Sequence, residues 1–264
     1  MSERNKSFGD RLRWWRAHRG VSQLDLAGMA ETSQRHLSFL ESGRTAPSRE
    51  MVLRLGAALD LPLRQQNALL LAAGYAPAWR ESPLSAPELS EVNRGLDFVL
   101  EQQEPYPAIV VDRRWNLLRA NRGAARLVEF LLGPIPVGAK INLALGLIAP
   151  DVLRPHIENW QEVAAYFLRS VQADALADGS TETAELLKQL LAYPDLPSLA
   201  QSLPPVTPAP VLAMHFRKGG TALKLFTTLA TLGTPQDITL QELRIESFFP
   251  SDDETARLFA AWAG

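Results

Sequence analysis

The chain has 264 residues, with 27 Lys and Arg against 29 Asp and Glu, and no cysteine. Its length and ordinary hydrophobicity fit two domains, each large enough to bury its own core, and the missing cysteines exclude disulfides, thiolate metal sites and cysteine nucleophiles. With no charged-then-apolar leader and no uninterrupted apolar stretch of membrane length, the expectation is a soluble, cytoplasmic protein that does not engage a membrane.

In chain order, Phe8, Leu12 and Trp15 recur at helical spacing and predict a first helix that also carries Arg11, Arg13, Arg16 and Arg19. Ser22 is a good N-cap for a second helix, with Asp25 placing negative charge in its first turn and Leu24, Leu26, Ala27 and Ala30 forming a compact apolar side. A break follows at Glu31-Thr32. Thr32 or Ser33 can cap a third helix whose Leu37 and Leu40 face inward while Gln34, Arg35 and Ser38 recur on the other side. Gly43 can end that helix in a left-handed conformation, and Pro47 stops its continuation. Ser48 caps a fourth helix with Met51, Val52, Leu55 and Leu59 on its apolar side, and Leu63 to Ala73 supplies a fifth.

These residues resemble the XRE, or Cro/CI-type, DNA-binding domains over about residues 8 to 62, with the helix-turn-helix at about 22–42. The resemblance is carried by Leu12-x-x-x-Arg16, by Ser22-Gln23-x-x-Leu26-Ala27 and by Leu37-x-x-x-Glu41-x-Gly43-Arg44-x-x-Pro47. It implies an all-α, five-helix, lambda-repressor-like DNA-binding domain over residues 1–80. It also implies that Gln23 contacts a phosphate, that Ser33, Gln34, Arg35, Ser38 and Phe39 lie at or beside base-facing positions, and that Arg16 and Glu41 pair to tie the first helix to the third. Glu31 departs from the pattern, standing where the family often has a glycine that accepts positive φ.

The chemistry of the third helix agrees. Gln matches the N6 and N7 edge of adenine and Arg the O6 and N7 edge of guanine, each contact contributing roughly 1–3 kcal/mol of discrimination. Arg44 and Arg49 are better placed for phosphates. Residues 1–75 hold eleven Lys and Arg against seven Asp and Glu, a surplus of four, while the remainder holds sixteen against twenty-two, a deficit of six. Positive charge is thus concentrated where phosphates would sit.

Prolines 77, 83 and 87 mark a boundary, and residues 81–104 read as a linker with a connecting helix from Ser90 to Gln103. Residues 105–264 read as an α+β domain. Ala108 to Asp112 and Trp115 to Arg119 predict two short strands around a tight turn, and Asn121 caps a helix from Arg122 to Leu132. The set Asp112, Trp115, Leu117 and Asn121 resembles the opening of PAS domains, with Trp115 at a position often held by glycine. Val211 to Arg217 and Thr221 to Thr231 flank the hairpin signal Lys218-Gly219-Gly220, and Leu240 to Phe249 predicts a fifth strand. The expected fold is a PAS-like five-stranded antiparallel sheet. Its helical insertion spans about Pro134 to Pro210, with helices near Ile157 to Ala175 and Thr181 to Ala192, and a last helix capped at Ser251 to Glu254 runs to Trp262.

Together with the N-terminal pattern, the segment Glu104-Pro-Tyr-Pro-Ala-Ile-Val-Val-Asp-Arg-Arg-Trp-Asn resembles the MmyB-like transcription regulators. The resemblance implies a ligand-binding C-terminal domain and a long-chain fatty acid as ligand, with no resident cofactor. A sheet cupped by helices can enclose an apolar cavity. Ile109, Val111, Trp115, Leu117 and Trp160 are candidate wall residues, as are Phe167, Leu225, Phe226 and Phe248, each of which also fits an ordinary core. A carboxylate head group would need a donor, for which Arg122 is the chosen candidate beside Arg126, Arg154, His156 and Arg169. His18, His36, His156 and His215 have no ligand spacing, so no metal site and no enzyme activity are expected. The expected partners are double-stranded DNA, a small apolar ligand and a second copy of the chain as a homodimer. A protein-interaction module without ligand, or less favoured an enzyme, is the alternative for the C-terminal part.

Overall fold

The computed structural model describes residues 7–136, 138–202 and 211–264. Two compact units are present: residues up to Ser82 together with Thr234–Gln241, and Pro83–Gly233 together with Glu242–Gly264.

In the first unit, α1 (Phe8–His18), α2 (Gln23–Met29), α3 (Gln34–Glu41), α4 (Arg49–Ala58) and α5 (Leu63–Ala72) surround one core. Four of these helices start at serines, Ser7, Ser22, Ser33 and Ser48, each accepting from the backbone N–H three residues on. A serine that satisfies one otherwise orphaned donor contributes about 1 kcal/mol to a helix start. Leu12, Leu26, Leu37, Leu40, Leu55 and Leu70 are almost wholly buried and weld the five helices together. The α2–α3 turn keeps a left-handed residue although it has no glycine, because Glu31 adopts φ 51°. Gly43 takes φ 71°, as the sequence predicts for the end of α3.

The fifth helix begins differently. Pro62 offers no capping side chain, and the Leu63 N–H is instead taken by the side-chain oxygen of Gln241 at 2.8 Å. Gln241 belongs to the segment between the last two strands, which the sequence assigns wholly to the C-terminal domain. In the same segment the Asp237 carboxylate accepts from the Ser82 and Thr239 N–H groups, and the Ile238 N–H donates to the Arg80 carbonyl. The contiguous partition at residue 80 therefore misses eight residues that pack with the first unit, and the connecting helix packs with the second.

The second unit holds one antiparallel sheet of β1 (Ala108–Val111), β2 (Leu117–Ala120), β3 (Ala213–Lys218), β4 (Thr221–Ala230) and β5 (Arg244–Pro250), in the order β2-β1-β5-β4-β3. That strand order is the PAS arrangement, with the last strand in the middle. The helices of this unit are α6 (Ser90–Gln102), α7 (Arg122–Leu132), α8 (Leu143–Ile148), α9 (Trp160–Asp178), α10 (Thr181–Leu191), α11 (Leu196–Ser202) and α13 (Asp253–Ala263), while α12 (Ile238–Glu242), in the β4–β5 connection, belongs to the first unit up to Gln241. Part of the predicted insertion, residues 203–210, lies outside the described residues. Two expectations shift here: α8 and α11 go unpredicted, and Leu240–Glu242 is helical where the fifth strand was expected to start. The cap of α13 is Asp252, which accepts from the Thr255 N–H at 2.8 Å.

Asn121 is the local anchor of this unit. Its side-chain oxygen accepts from the Ala124 and Ala108 N–H groups, and its amide donates to the Leu100 and Tyr106 carbonyls. One buried side chain thereby fixes the end of α6, the entry to β1 and the start of α7. Between β1 and β2, Asp112 accepts from the Arg114 and Asn116 N–H groups, and Trp115 adopts φ 63°. A bulky residue in that region costs about 1–3 kcal/mol. The indole is fully buried against Phe167, with ring centroids 4.7 Å apart, and its N–H has no hydrogen-bond partner among the described residues.

Candidate functional site

Within the first unit, Ser33 caps α3, so the orientation of the helix is fixed from its first turn. The helix is held from below by Glu41, whose side chain is only 2 % exposed. Arg16 donates to both Glu41 oxygens at 2.6 and 3.1 Å, and Gln23 donates to one at 2.8 Å. Burial pushes the Glu41 carboxyl up, but the hydrogen bonds from Arg16 and Gln23 and the charges of Arg16 and Arg13 outweigh it and hold the group below the usual carboxylate range. Arg13 also donates to the Glu41 carbonyl at 2.8 Å, and Gly9 lets α1 approach so closely that an added Cβ would lie 2.6 Å from that same oxygen.

On the opposite side, Gln34 and Arg35 are exposed and Ser38 is partly exposed, so they form one polar edge; Arg44 is exposed beyond the end of the helix. Phe39 is half-buried and sits between two guanidinium groups, 5.4 Å from Arg35 and 5.7 Å from Arg44. The sequence assigns Phe39 to a base-facing position; the structure gives it the further task of bracing the two arginines, each contact contributing about 0.5–1 kcal/mol at such a site. Gln23 is half-buried and committed through one amide hydrogen to Glu41, which leaves it a second one for a phosphate.

In the second unit, two chambers lie between the sheet and helices α7 and α8. The inner one, about 70 Å³, is walled by Ile109, Leu127, Phe167, Met214, Phe216 and Phe248 among others. The outer one, about 430 Å³, is walled by Leu117, Val128, Ile135, Leu143 and Leu153 among others. Ile109, Ala124, Val128, Leu143 and Leu153 line both, so the chambers meet along these side chains. The outer chamber alone falls within the roughly 300–1,000 Å³ of small-molecule sites.

Of the sequence candidates, Ile109, Phe167 and Phe248 line the inner chamber and Ile109 and Leu117 the outer. Val111, Trp115 and Leu225 are fully buried core and line neither. Phe226 is on the other face of the sheet: it pairs with Phe249 and stacks on it at 5.2 Å, while its neighbour Thr227 pairs with Phe248 on the cavity face. The period-2 alternation of strands decides this, since one step along β4 reverses the face. Trp160 donates its indole N–H to the Leu147 carbonyl and lies under Arg154, 3.6 Å from its ring centroid. Arg122 is 80 % exposed beside Glu104 and does not reach either chamber, and Arg154 is paired with Asp195. Among the described residues no Lys or Arg lines either chamber.

The residue that sequence reading missed is Glu246. It lines the inner chamber from β5, is 5 % exposed and is paired in register with Ile109. Burial pushes its pKa up to about 7, against the lesser effect of a hydrogen bond from Thr227. A lone glutamate in a strand reads as a solvent-facing residue, so no local signal could have found it.

Residues 92–261 match the family described as MmyB-like transcription regulator ligand binding domain. The chain belongs to this family. Residues 7–69 match a helix-turn-helix domain, so a DNA-binding head and a ligand-binding domain of a transcription regulator share one chain. No match was found among curated proteins. Among solved structures, an RNA-binding light-oxygen-voltage receptor is similar at 14 % identity and a TM-score of 0.30, over 99 % of this chain and 64 % of that one. Among the described residues, no helix is long and apolar enough to cross a membrane, and no cluster of three His, Asp or Glu could hold a metal ion.

Proposed function

We propose that this regulator binds a partly palindromic operator as a homodimer, that each α3 enters a major groove, and that a long-chain fatty acid in the two chambers controls binding. The observation that carries the reading is the polar edge of α3, exposed on a helix whose other side is locked by the Glu41 network. Gln34 and Arg35 are the base readers, Ser38 and Ser33 flank them, and Gln23 and Arg44 meet phosphates. Dimerisation follows from the two-fold symmetry of such sites, because one α3 reads only a half-site. The apolar walls of both chambers favour an alkyl chain over a planar polar ligand.

A route from ligand to DNA is built into the chain order. Gln241 caps α5 in the first unit, and the next residue, Glu242, pairs with Arg113 in the second at 3.4 Å. Two residues further on, β5 begins with Arg244 and leads to Glu246 and Phe248 on the cavity wall. A ligand that binds one position of β5 better than another shifts the segment that ends at the α5 cap, which is the differential affinity that control requires.

The test is selection of a duplex from a random pool, followed by gel shifts with and without added fatty acid. Replacement of Gln34 and Arg35 by alanine should remove selectivity for the selected duplex over scrambled DNA. Retained selectivity would overturn the assignment of α3.

A further inference from the structure

Glu246 is the single polar side chain among the described residues of the inner chamber, where thirteen other residues present only apolar groups or proline. It is more than nine-tenths buried, and Thr227 donates to it. A carboxyl group has acceptor sites, and when protonated a donor, beyond what one hydroxyl fills. No other residue lining the chamber offers it a polar side chain.

The charged groups around it cannot take that role. Arg244 shares its face of β5 but is held bidentately by Asp174 of α9, at 2.6 and 2.7 Å. Lys218 of β3 donates to the Phe130 carbonyl of α7. Glu129 of α7 is exposed and lines only the outer chamber, and Arg126 of the same helix lines neither. With no cation on either wall, an ionised carboxylate brought inward would face Glu246 uncompensated, an arrangement that low-dielectric surroundings penalise by several-fold more than water does.

We propose that the ligand enters head first as a neutral carboxylic acid whose O–H and C=O pair with the Glu246 carboxyl, while its alkyl chain runs out through the outer chamber. This rests on reading the two chambers as one ligand site. Two carboxyl groups in contact retain protons because they cannot both ionise. Glu246 therefore selects the head group, and the apolar walls select the chain.

Calorimetric titration of the full-length, lipid-stripped protein with dodecanoic acid, methyl dodecanoate and dodecylamine at pH 6 and pH 8 tests this. Throughout, the acid's affinity is referred to its neutral fraction at the pH of measurement; on that basis it should bind at pH 6 roughly tenfold more tightly than the ester, which lacks the donor. In Glu246→Leu the two should bind alike, and Thr227→Val, which leaves the carboxyl in place, should keep the preference for the acid. Between pH 6 and pH 8 the acid should lose roughly tenfold more affinity in the parent protein than in Glu246→Gln, because only the parent must also protonate a residue. Equal binding of acid and ester to the parent would overturn the head-group assignment and leave the cavity intact. Tightest binding by the amine would overturn the neutral acid in favour of an ion pair. If none of the three binds, the reading of the chambers as a ligand site falls as well.

Discussion

Replacement of Glu246 by glutamine removes a titrating group from the inner chamber while keeping its shape, and its effect on stability can be worked from the structure. The carboxyl has an ordinary value of 4.5 in the unfolded chain and about 7 when buried. Because the folded value is raised, the stabilising contribution of the neutral group is complete below 4.5 and is lost as the pH rises through about 7. Each unit of pKa is worth about 1.4 kcal/mol, so linkage gives a loss of about 2.5 kcal/mol between pH 5 and pH 8. The glutamine variant carries no such term. Urea unfolding of ligand-free parent and variant, followed by tryptophan fluorescence at pH 5, 6, 7 and 8, should show the variant gaining about 2.5 kcal/mol on the parent across that range, with most of the change complete by pH 7. Parallel pH profiles for the two proteins would refute the reasoning, since they would mean that the carboxyl is hydrated or compensated in the folded state.

Arg16→Leu strands the buried Glu41 and should destabilise the first unit by about 3–5 kcal/mol, read as a lower unfolding midpoint. In the parent, the depressed Glu41 carboxyl stabilises above its ordinary value of 4.5, and that stability is lost as the pH falls through its folded value. The variant should show a flatter loss on acidification below 4.5. Gly9→Ala puts a methyl group 2.6 Å from the Glu41 carbonyl and should force α1 away from α3, lowering DNA affinity in gel shifts without touching the reading edge. Gln241→Ala removes the α5 cap at a cost of about 1 kcal/mol, which amide exchange at Leu63 should register as roughly fivefold faster opening. Phe39→Ala frees Arg35 and Arg44, and filter binding should show weaker affinity for the selected duplex at the cost of about 1–2 kcal/mol for two cation–π contacts.

Much of the first unit was legible because its signals are local. A serine before an apolar-periodic run caps a helix whatever surrounds it, and Ser22, Ser33 and Ser48 do so as predicted. The polar edge of α3 follows from 3.6-residue periodicity alone. The second unit was legible as strands and helices, and Asn121 as a cap, but its cavity was not. Phe226 and Phe248 look equivalent in sequence, yet the β4–β5 register sends them to opposite faces. The short helix α8, with no long apolar period of its own, supplies Leu143 and Leu147 to the walls. The missing arginine in the cavity has the same origin: Arg122 lies at the start of α7, and the direction of that helix points its side chain to solvent.

The amino-acid sequence by itself determined where α2, α3 and α4 begin, which side of α3 is polar, and that Gly43 ends α3 in a left-handed conformation, because each depends on neighbours a few positions away. The tertiary structure alone decided that Glu246 is buried and that Gln241 caps a helix 178 positions earlier in the chain. Both follow from the central place of β5 in the sheet and from the packing of the β4–β5 connection with the first unit. The face of β5 that carries Glu246 lies under side chains of α7, α8 and α9, so a residue that would meet water on an uncovered face of an antiparallel sheet meets an apolar chamber instead.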